Sequence, residues 1–287
     1  MKGVPGFFSA QVSEARRFYL DLAPPPSARV AVVSGGCEHC APDYRITRPG
    51  FRYASIEFVA GGRGSLVLRG VAYRLTPGTF FTYGPRVAQD IATDPRQPLV
   101  KYFVDFAGRD AGALLARHGL APGTVAQTSA PAEILAAFED LIRSGLRDTG
   151  YTRRLCRLGL ETLMLRLAES TVACGDAASP AFATYERCRR HIEARWRDLH
   201  SLDQIARECH LDPAYLCRLF RRFGHESPCR HLSRLRMNHA ADLLRRPGTM
   251  VRTVAAELDF SDAFHFSRNF KRVFGVAPAT FIGLRRE

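Results

Sequence analysis

Hydrophobic and polar positions along the chain fall into three regimes. From Ala28 to about Gly108, short runs rich in Val, Ile, Phe and Tyr recur at Tyr53 to Val59, Ser65 to Val71 and Val100 to Phe106. Turn chemistry separates them, at Gly61-Gly62-Arg63-Gly64, Thr76-Pro77-Gly78 and Gly84-Pro85. Short strands at this spacing predict a small barrel or sandwich. After Gly108 the apolar period lengthens. Ile134, Leu135, Phe138, Leu141 and Ile142, then Leu155, Leu158, Leu160, Leu163, Met164 and Leu167, predict two amphipathic helices split by residues Gly145 to Gly150. Their leucines can cover the β-rich region or meet a second subunit, and periodicity does not choose between these. The small, polar, Pro-terminated stretch from Cys174 to Pro180 reads as a domain linker.

The last hundred residues repeat themselves. Ile205-Ala206, Leu211, Leu216, Arg218, Phe220, Arg221, Arg222 and Pro228 reappear as Val254-Ala255, Phe260, Phe266, Arg268, Phe270, Lys271, Arg272 and Pro278. The offset is 49 before the turn and 50 after it, so one residue is inserted there. Two copies of one structural unit follow.

Each copy reads as two short helices joined by a tight turn. Ser201 with Gln204 three residues on is a capping box for a helix that buries Leu202, Ile205 and Ala206. His210-Leu211 makes the turn, and Asp212-Pro213 opens the second helix with an N-cap and a first-turn proline. On that helix Leu216, Leu219, Phe220 and Phe223 form an inward stripe, while Ala214, Cys217, Arg218 and Arg221 lie opposite. In the second copy, Thr249 and Ser261 are the expected caps. The inward stripe is Phe266, Phe270, Val273 and Phe274, and the outward one Phe264, Ser267, Arg268 and Lys271. A helix that is small near its start and cationic further on suits the DNA major groove, where guanidinium pairs with guanine O6 and N7 and flanking cations meet phosphates. Phe264 either meets a thymine methyl or folds under into the core. Between the copies, Leu232, Leu235, Met237, Ala240, Leu243 and Leu244 mark a long helix ended by Pro247-Gly248. It spaces the two reading helices, which would sit about 34 Å apart if they enter successive major grooves.

Composition narrows the partners. With 287 residues the chain has room for two domains of about 100 to 200 residues each. The net charge of +13 is uneven: from Phe182 onward there are 20 Lys/Arg against 12 Asp/Glu, so +8 of it lies there. An anionic partner is implied. Pro5 and Gly6 interrupt the first apolar stretch and Pro24, Pro25 and Pro26 follow, so no signal peptide or membrane span is expected. The eight cysteines lack paired disulfide spacing, which reads as reduced thiols in cytoplasm. Cys37-Glu38-His39-Cys40 imitates half a zinc site, but nothing nearby completes four ligands. No metal or other cofactor is expected, and the two Cys read as buried thiols at a strand end.

Residues 185 to 287 resemble the DNA-binding domain of the AraC/XylS family of transcription regulators. The resemblance rests on Ser261-Asp262 through Phe264, Phe266-Ser267-Arg268, Phe270-Lys271-Arg272, Phe274-Gly275-Val276 and Ala277-Pro278, with Leu216-Cys217-Arg218-Leu219-Phe220 as the first-copy counterpart. It implies base contacts by Ala214, Cys217 and Arg218, and by Ala263, Phe264, Ser267 and Arg268. Arg221, Arg222, Lys271 and Arg272 are then the phosphate contacts. Phe281-Ile282 departs from the family's usual aromatic followed by Arg. More loosely, Tyr44-Arg45-Ile46, Gly61 to Gly64, Leu75-Thr76-Pro77-Gly78 and Lys101 to Phe106 are similar to the cupin-like sensor barrels of these regulators, which bind sugars or other small effectors.

The resulting expectation is an α+β protein of two domains: residues 1–108 an effector-sensing, cupin-like β-barrel, 109–173 a helical linker or dimerisation region, and 182–287 an all-α domain with two helix-turn-helix units. Arg48, Glu57, Tyr83 and Gln89 are the polar candidates for the effector pocket, each also readable as a solvated strand residue. Double-stranded DNA and a small effector are the expected partners, with RNA polymerase and a second copy of the chain as further ones. Two rivals stand against a regulator. An effector-independent architectural DNA binder leaves the large β-rich region unexplained. A cupin enzyme needs a metal held mainly by histidines, and none occurs between His39 and His118.

Overall fold

The computed structural model describes residues 9–173, 179–224, 226–246 and 248–283, and the chain divides into two compact units between Ala177 and Ala178. The expected linker lies mostly at residues 174–178, outside the described residues, as do Pro5, Gly6 and Pro247.

The first unit runs β1 (Val12–Tyr19), β2 (Ala31–Cys40), β3 (Arg45–Arg48), β4 (Ala54–Gly61), β5 (Gly64–Leu68), β6 (Val71–Leu75), β7 (Thr79–Tyr83), β8 (Gln89–Thr93), β9 (Val100–Ala107), α1 (Ala111–Arg117), β10 (Val125–Thr128), α2 (Pro131–Gly145), α3 (Thr152–Ser170) and β11 (Thr171–Val172). Seven strands form one sheet in the order β1-β2-β9-β4-β7-β10-β11, and four form another, β3-β8-β5-β6. Of the barrel or sandwich expected, the described residues show two separate antiparallel sheets and no closed barrel. The strand pattern also continues past Gly108, because β10 pairs with β7.

Ser65 to Val71, expected as one strand, is a hairpin. β5 ends at Leu68, and Arg69 and Gly70 both take positive φ (51° and 80°), so Leu68 pairs with Val71 across a two-residue turn. Mirror-image turns of this kind match the twist of paired strands.

The central strands of the seven-stranded sheet are buried on both faces, which is why β4 and β9 read as near-continuous apolar runs, while the edge strand β1 is largely exposed. One face packs on α2 and α3, joining Ile56, Phe58, Val104 and Phe106 to Ile134, Phe138, Leu141, Leu160, Leu163 and Leu167. Phe58 stacks on Phe138 with ring centroids 6.1 Å apart. Val59, Phe81 and Tyr83 belong to a second core with Leu66, Leu68 and Ile91 of the four-stranded sheet. Side chains alternate between these cores along each strand. Leu155, Leu158 and Leu165 of α3, with Tyr151 at its N-cap, are exposed, so the leucines of this region divide between the two places the periodicity left open: some cover the sheet and these do not. Cys37 and Cys40 of β2 enter different cores, so their thiols do not converge on one point.

The second unit is helical: α4 (Pro180–Arg195), α5 (Leu202–Glu208), α6 (Pro213–Phe223), α7 (Pro228–Leu244), α8 (Val251–Glu257), α9 (Ala263–Phe274) and α10 (Pro278–Gly283). The repeat appears as α5-turn-α6 and α8-turn-α9. Ser201 caps α5 by accepting from Gln204 N at 3.1 Å, although the Gln204 side chain reaches back to His200 N rather than to Ser201. Asp212 caps α6 through Tyr215 N at 3.0 Å.

Two expected caps in the second copy differ. Thr249 is not the cap of α8; Met250 occupies that position without a side-chain bond. Asp262, not Ser261, caps α9, accepting from His265 N at 2.6 Å. Asp262 is the partner of Asp212 at the offset of 50, which makes Ser261 the inserted residue. Val273 and Phe274, expected inside, are half-buried, and Phe281 of α10 packs against Phe270 at 5.4 Å.

Candidate functional site

Both turns are built alike. His210 and Asp259 take the left-handed conformation (φ 57° and 51°) directly after α5 and α8. Leu211 N then donates to Ala206 O, and Phe260 N to Ala255 O, each at 2.9 Å. This is the hydrogen-bond pattern that ends a helix with a reversal, here using residues other than glycine. It ends α5 and α8 just ahead of the caps that start α6 and α9.

Each of these helices then segregates its side chains. Leu216, Leu219, Phe220 and Phe223 of α6 are buried, as are Phe266 and Phe270 of α9. On the opposite face of α6, Ala214, Arg218, Arg221 and Arg222 are exposed and Cys217 is half-buried. On α9, Phe264, Arg268, Lys271 and Arg272 are exposed, with Ala263 and Ser267 half-buried. Every outward residue expected from the sequence thus lies on an accessible face. Phe264 is 81% exposed, which removes the alternative that it folds into the core. At offset 50 the two faces correspond as Ala214 with Phe264, Cys217 with Ser267, and Arg218 with Arg268.

The first unit also buries a cluster of charges. A small cavity in the β-rich unit is lined by Ser9, Glu38, Tyr44, Ile46, Arg48, Phe51, Glu57, Tyr83, Lys101, Phe103 and Asp105. Its polar core is Lys101, whose Nζ lies 2.8 Å from Glu57 Oε2 and 3.7 Å from Glu38 Oε2, with the ammonium 4.9 Å from the centre of the Tyr44 ring. Glu57 also accepts from Tyr83 Oη at 2.5 Å, and Glu38 from Arg17 Nε at 2.9 Å. Strand register explains the cluster: Glu38 faces Lys101 across β2 and β9, and both Ser34 and Ser55 face Asp105.

Burial disfavours the Lys101 ammonium, but the carboxylates of Glu57 and Glu38 with Tyr44 outweigh it and hold its pKa well above the ordinary value. Burial likewise pushes Tyr83 well up. Asp105 is driven up to about 7 by burial, against hydrogen bonds at 2.8 Å from Ser55 and Ser34. The Tyr44 hydroxyl is buried with no hydrogen-bond partner among the described residues. The cavity measures about 20 Å³, room for about one water-sized group, to which its aromatic rings, paired charges and unpartnered hydroxyl offer several directional bonds.

Residues 205–283 match the model of a helix-turn-helix domain, and residues 33–168 that of an AraC-like ligand-binding domain. The chain belongs to the AraC family of transcription regulators. The MmsAB operon regulatory protein of Pseudomonas aeruginosa is 24% identical, the match covering 84% of this chain and 78% of that protein. For the Msm operon regulatory protein of Streptococcus mutans the figures are 21%, 79% and 82%. The uncharacterized HTH-type transcriptional regulator YidL of Escherichia coli is 36% identical over 33% of this chain and 34% of its own. This AraC-family chain is accordingly a DNA-binding regulator with a β-rich ligand-binding domain and a helical helix-turn-helix domain. Among the described residues, no helix is long and apolar enough to cross a membrane.

Of the four residues expected to line the pocket of this AraC-family protein, Arg48, Glu57 and Tyr83 do line the cavity. Gln89 does not. It is buried on β8 opposite Arg48 and Leu68, and both polar atoms of its amide lack partners among the described residues. Glu38, Tyr44, Lys101 and Asp105, not among the sequence candidates, line the same cavity. One signal was present for two of them: Lys101, Phe103 and Asp105 sit at i, i+2 and i+4, so a single strand face carries both charges.

Proposed function

We propose that this regulator reads specific DNA through the outward faces of α6 and α9, and that a small molecule bound between its sheets alters promoter occupancy. The observation that carries the reading is the division of each helix into a buried apolar stripe and an exposed cationic one. Arg218 and Arg268, with Ala214, Cys217, Ala263, Phe264 and Ser267, contact base edges, while Arg221, Arg222, Lys271 and Arg272 hold phosphates. With Ala214 and Cys217 offering few donors, base choice by the first unit rests mainly on Arg218. Phe264 supplies an apolar surface for a thymine methyl.

The effector binds at the cavity walled by Arg48, Glu57 and Tyr83 together with Glu38, Tyr44, Lys101 and Asp105, in a unit we read as cupin-like from its two facing antiparallel sheets. Among the described residues no histidine lines the cavity, which favours a sensor over a metal-dependent enzyme. Ligand binding shifts an equilibrium between two arrangements of the regulator by no more than its difference in affinity for them. The exposed stripe of Tyr151, Leu155, Leu158 and Leu165 on α3 supports pairing with a second copy. RNA polymerase is the further partner at the promoter, and the site of action is the cytoplasm.

The test is a salt titration of full-length protein on an operator, selected from random-sequence duplexes, and on unselected DNA. A sequence reader keeps a gap of about 10³ or more between the two at physiological salt. Two salt curves that coincide would leave only counterion release and end the proposal. Genome-wide binding with and without candidate small metabolites then tests the effector arm.

A further inference from the structure

The repeat in the second unit is one helix longer than the helix-turn-helix pairs. At the offset of 49, Arg187 of α4 corresponds to Arg236 of α7. Each makes the same hydrogen bond. Arg187 Nη1 donates to Cys209 O at 3.1 Å, and Arg236 Nη2 donates to Leu258 O. Cys209 and Leu258 are themselves 49 apart, and each is the C-cap of the first helix of its pair. The residue after each cap is the left-handed one, His210 or Asp259, that makes the turn. Cys188 and Met237, which follow the two arginines, are both fully buried. The module is therefore three helices, with a guanidinium from the leading helix gripping the carbonyl end of the second at its turn.

The second copy of this contact is the deeper one. Arg236 is 9% exposed, and its guanidinium lies 5.0 Å from the centre of the Phe260 ring, the residue that follows the left-handed Asp259. Burial pulls its pKa below the ordinary arginine value. An apolar side chain at such a position is often at least as stabilising as a buried charge, so retention of the charge fits a role in specifying one geometry. The carbonyl end of α8 offers partial negative charge for it to meet. Arg187 makes the corresponding contact from an exposed position.

We infer that Arg187 and Arg236 are positioning residues for DNA reading: each fixes the turn of its own helix-turn-helix, and so the angle at which α6 or α9 is presented. The inference rests on the assignment of α6 and α9 as base readers. In this assignment each arginine acts through its turn.

The test uses full-length protein and an operator selected from random duplexes, with base preference measured position by position in the half-sites read by α6 and α9. Thermal unfolding is followed in parallel. Arg236→Met is expected to flatten preference in the α9 half-site alone and to lower operator affinity about tenfold, with affinity for random DNA unchanged because the phosphate-binding cations remain. Arg236→Lys keeps one donor and recovers part of the preference. Arg187→Met produces the same effect in the α6 half-site, more weakly because its contact is exposed. Preference retained in a folded Arg236→Met protein, or lost equally in both half-sites, overturns the inference. Should Arg236→Met not fold, Arg187→Met decides, and an intact α6 half-site overturns it. Arg218→Ala and Arg268→Ala run alongside. If these two lose preference while the arginine-to-methionine variants keep it, only the positioning role fails. If all four keep it, the base-reading assignment beneath it fails as well.

Discussion

Lys101 and Arg268 are both cations, and their surroundings could hardly differ more. Lys101 is sealed inside the first unit between Glu57 and Glu38 and over the Tyr44 ring, while Arg268 stands exposed on α9. The contrast extends to their neighbours. In the β-rich unit Glu38, Glu57 and Lys101 are buried and paired with one another, and buried Asp105 accepts from Ser34 and Ser55. In the helical unit Arg218, Arg221, Arg222, Lys271 and Arg272 all face outward. The difference reflects the kind of partner each unit suits. A small ligand is read by surrounding it, so polar groups must be enclosed and pre-paired; a duplex is read from one side, so cations must project.

The strongest way to break the contrast is to remove the buried cation. Lys101→Met leaves Glu57 and Glu38 without their shared counter-charge and is expected to destabilise the protein by about 3–5 kcal/mol in urea unfolding. Adding Glu57→Gln should return part of that loss. A single variant as stable as the parent would mean that the carboxylates do not depend on Lys101.

Asp105 offers a pH test of the same interior. Its folded pKa of about 7 lies above the ordinary carboxylate value, so between these two values the folded chain holds a proton that the unfolded chain has released. Deprotonation therefore favours unfolding: this group's contribution is most favourable at low pH and declines as pH rises toward 7. The whole effect is on the order of a few kcal/mol. Asp105→Asn should flatten that part of the stability-versus-pH curve, and an unchanged slope would show that the carboxyl titrates normally.

On the outward side, Arg268→Ala is expected to cost about 1–3 kcal/mol of operator binding and to relax base preference at one position, with folding stability unaffected. Lys271→Ala should instead weaken operator and random DNA alike and shallow the salt dependence. Equal losses on both DNAs for Arg268→Ala would reduce it to a phosphate contact. The smallest effect expected is that of Phe264→Ala, on the order of 1 kcal/mol and confined to sites with thymine at the matching position. Because this ring is 81% exposed, its melting temperature should not fall.

Legibility differed between the two units for a physical reason. The helix-turn-helix pairs depend on interactions within a few residues, such as the Asp212 cap, the turn at His210 and the stripe from Leu216 to Phe223, so local spacing reveals them. Neighbouring residues can compete for one local role. Ser261 resembled a cap, yet the repeat offset already pointed to Asp262, the residue that performs the role. The cavity depends on strands distant in sequence. Glu38 sat inside what looked like half a zinc motif, and only pairing of β2 with β9 sets it opposite Lys101. Gln89 is a polar residue in a strand, a pattern shared by the cavity wall and by other buried positions.

The amino-acid order alone determined the two-part organisation, the duplicated helical module and the outward faces of α6 and α9, because each follows from periodicity and capping over a dozen residues. Tertiary structure decided the rest: two separate sheets rather than a closed barrel, helices covering the larger sheet, a charged cavity between strands, and a guanidinium from a preceding helix at each turn. These depend on which distant segments meet, and chain topology carries that information where local pattern does not.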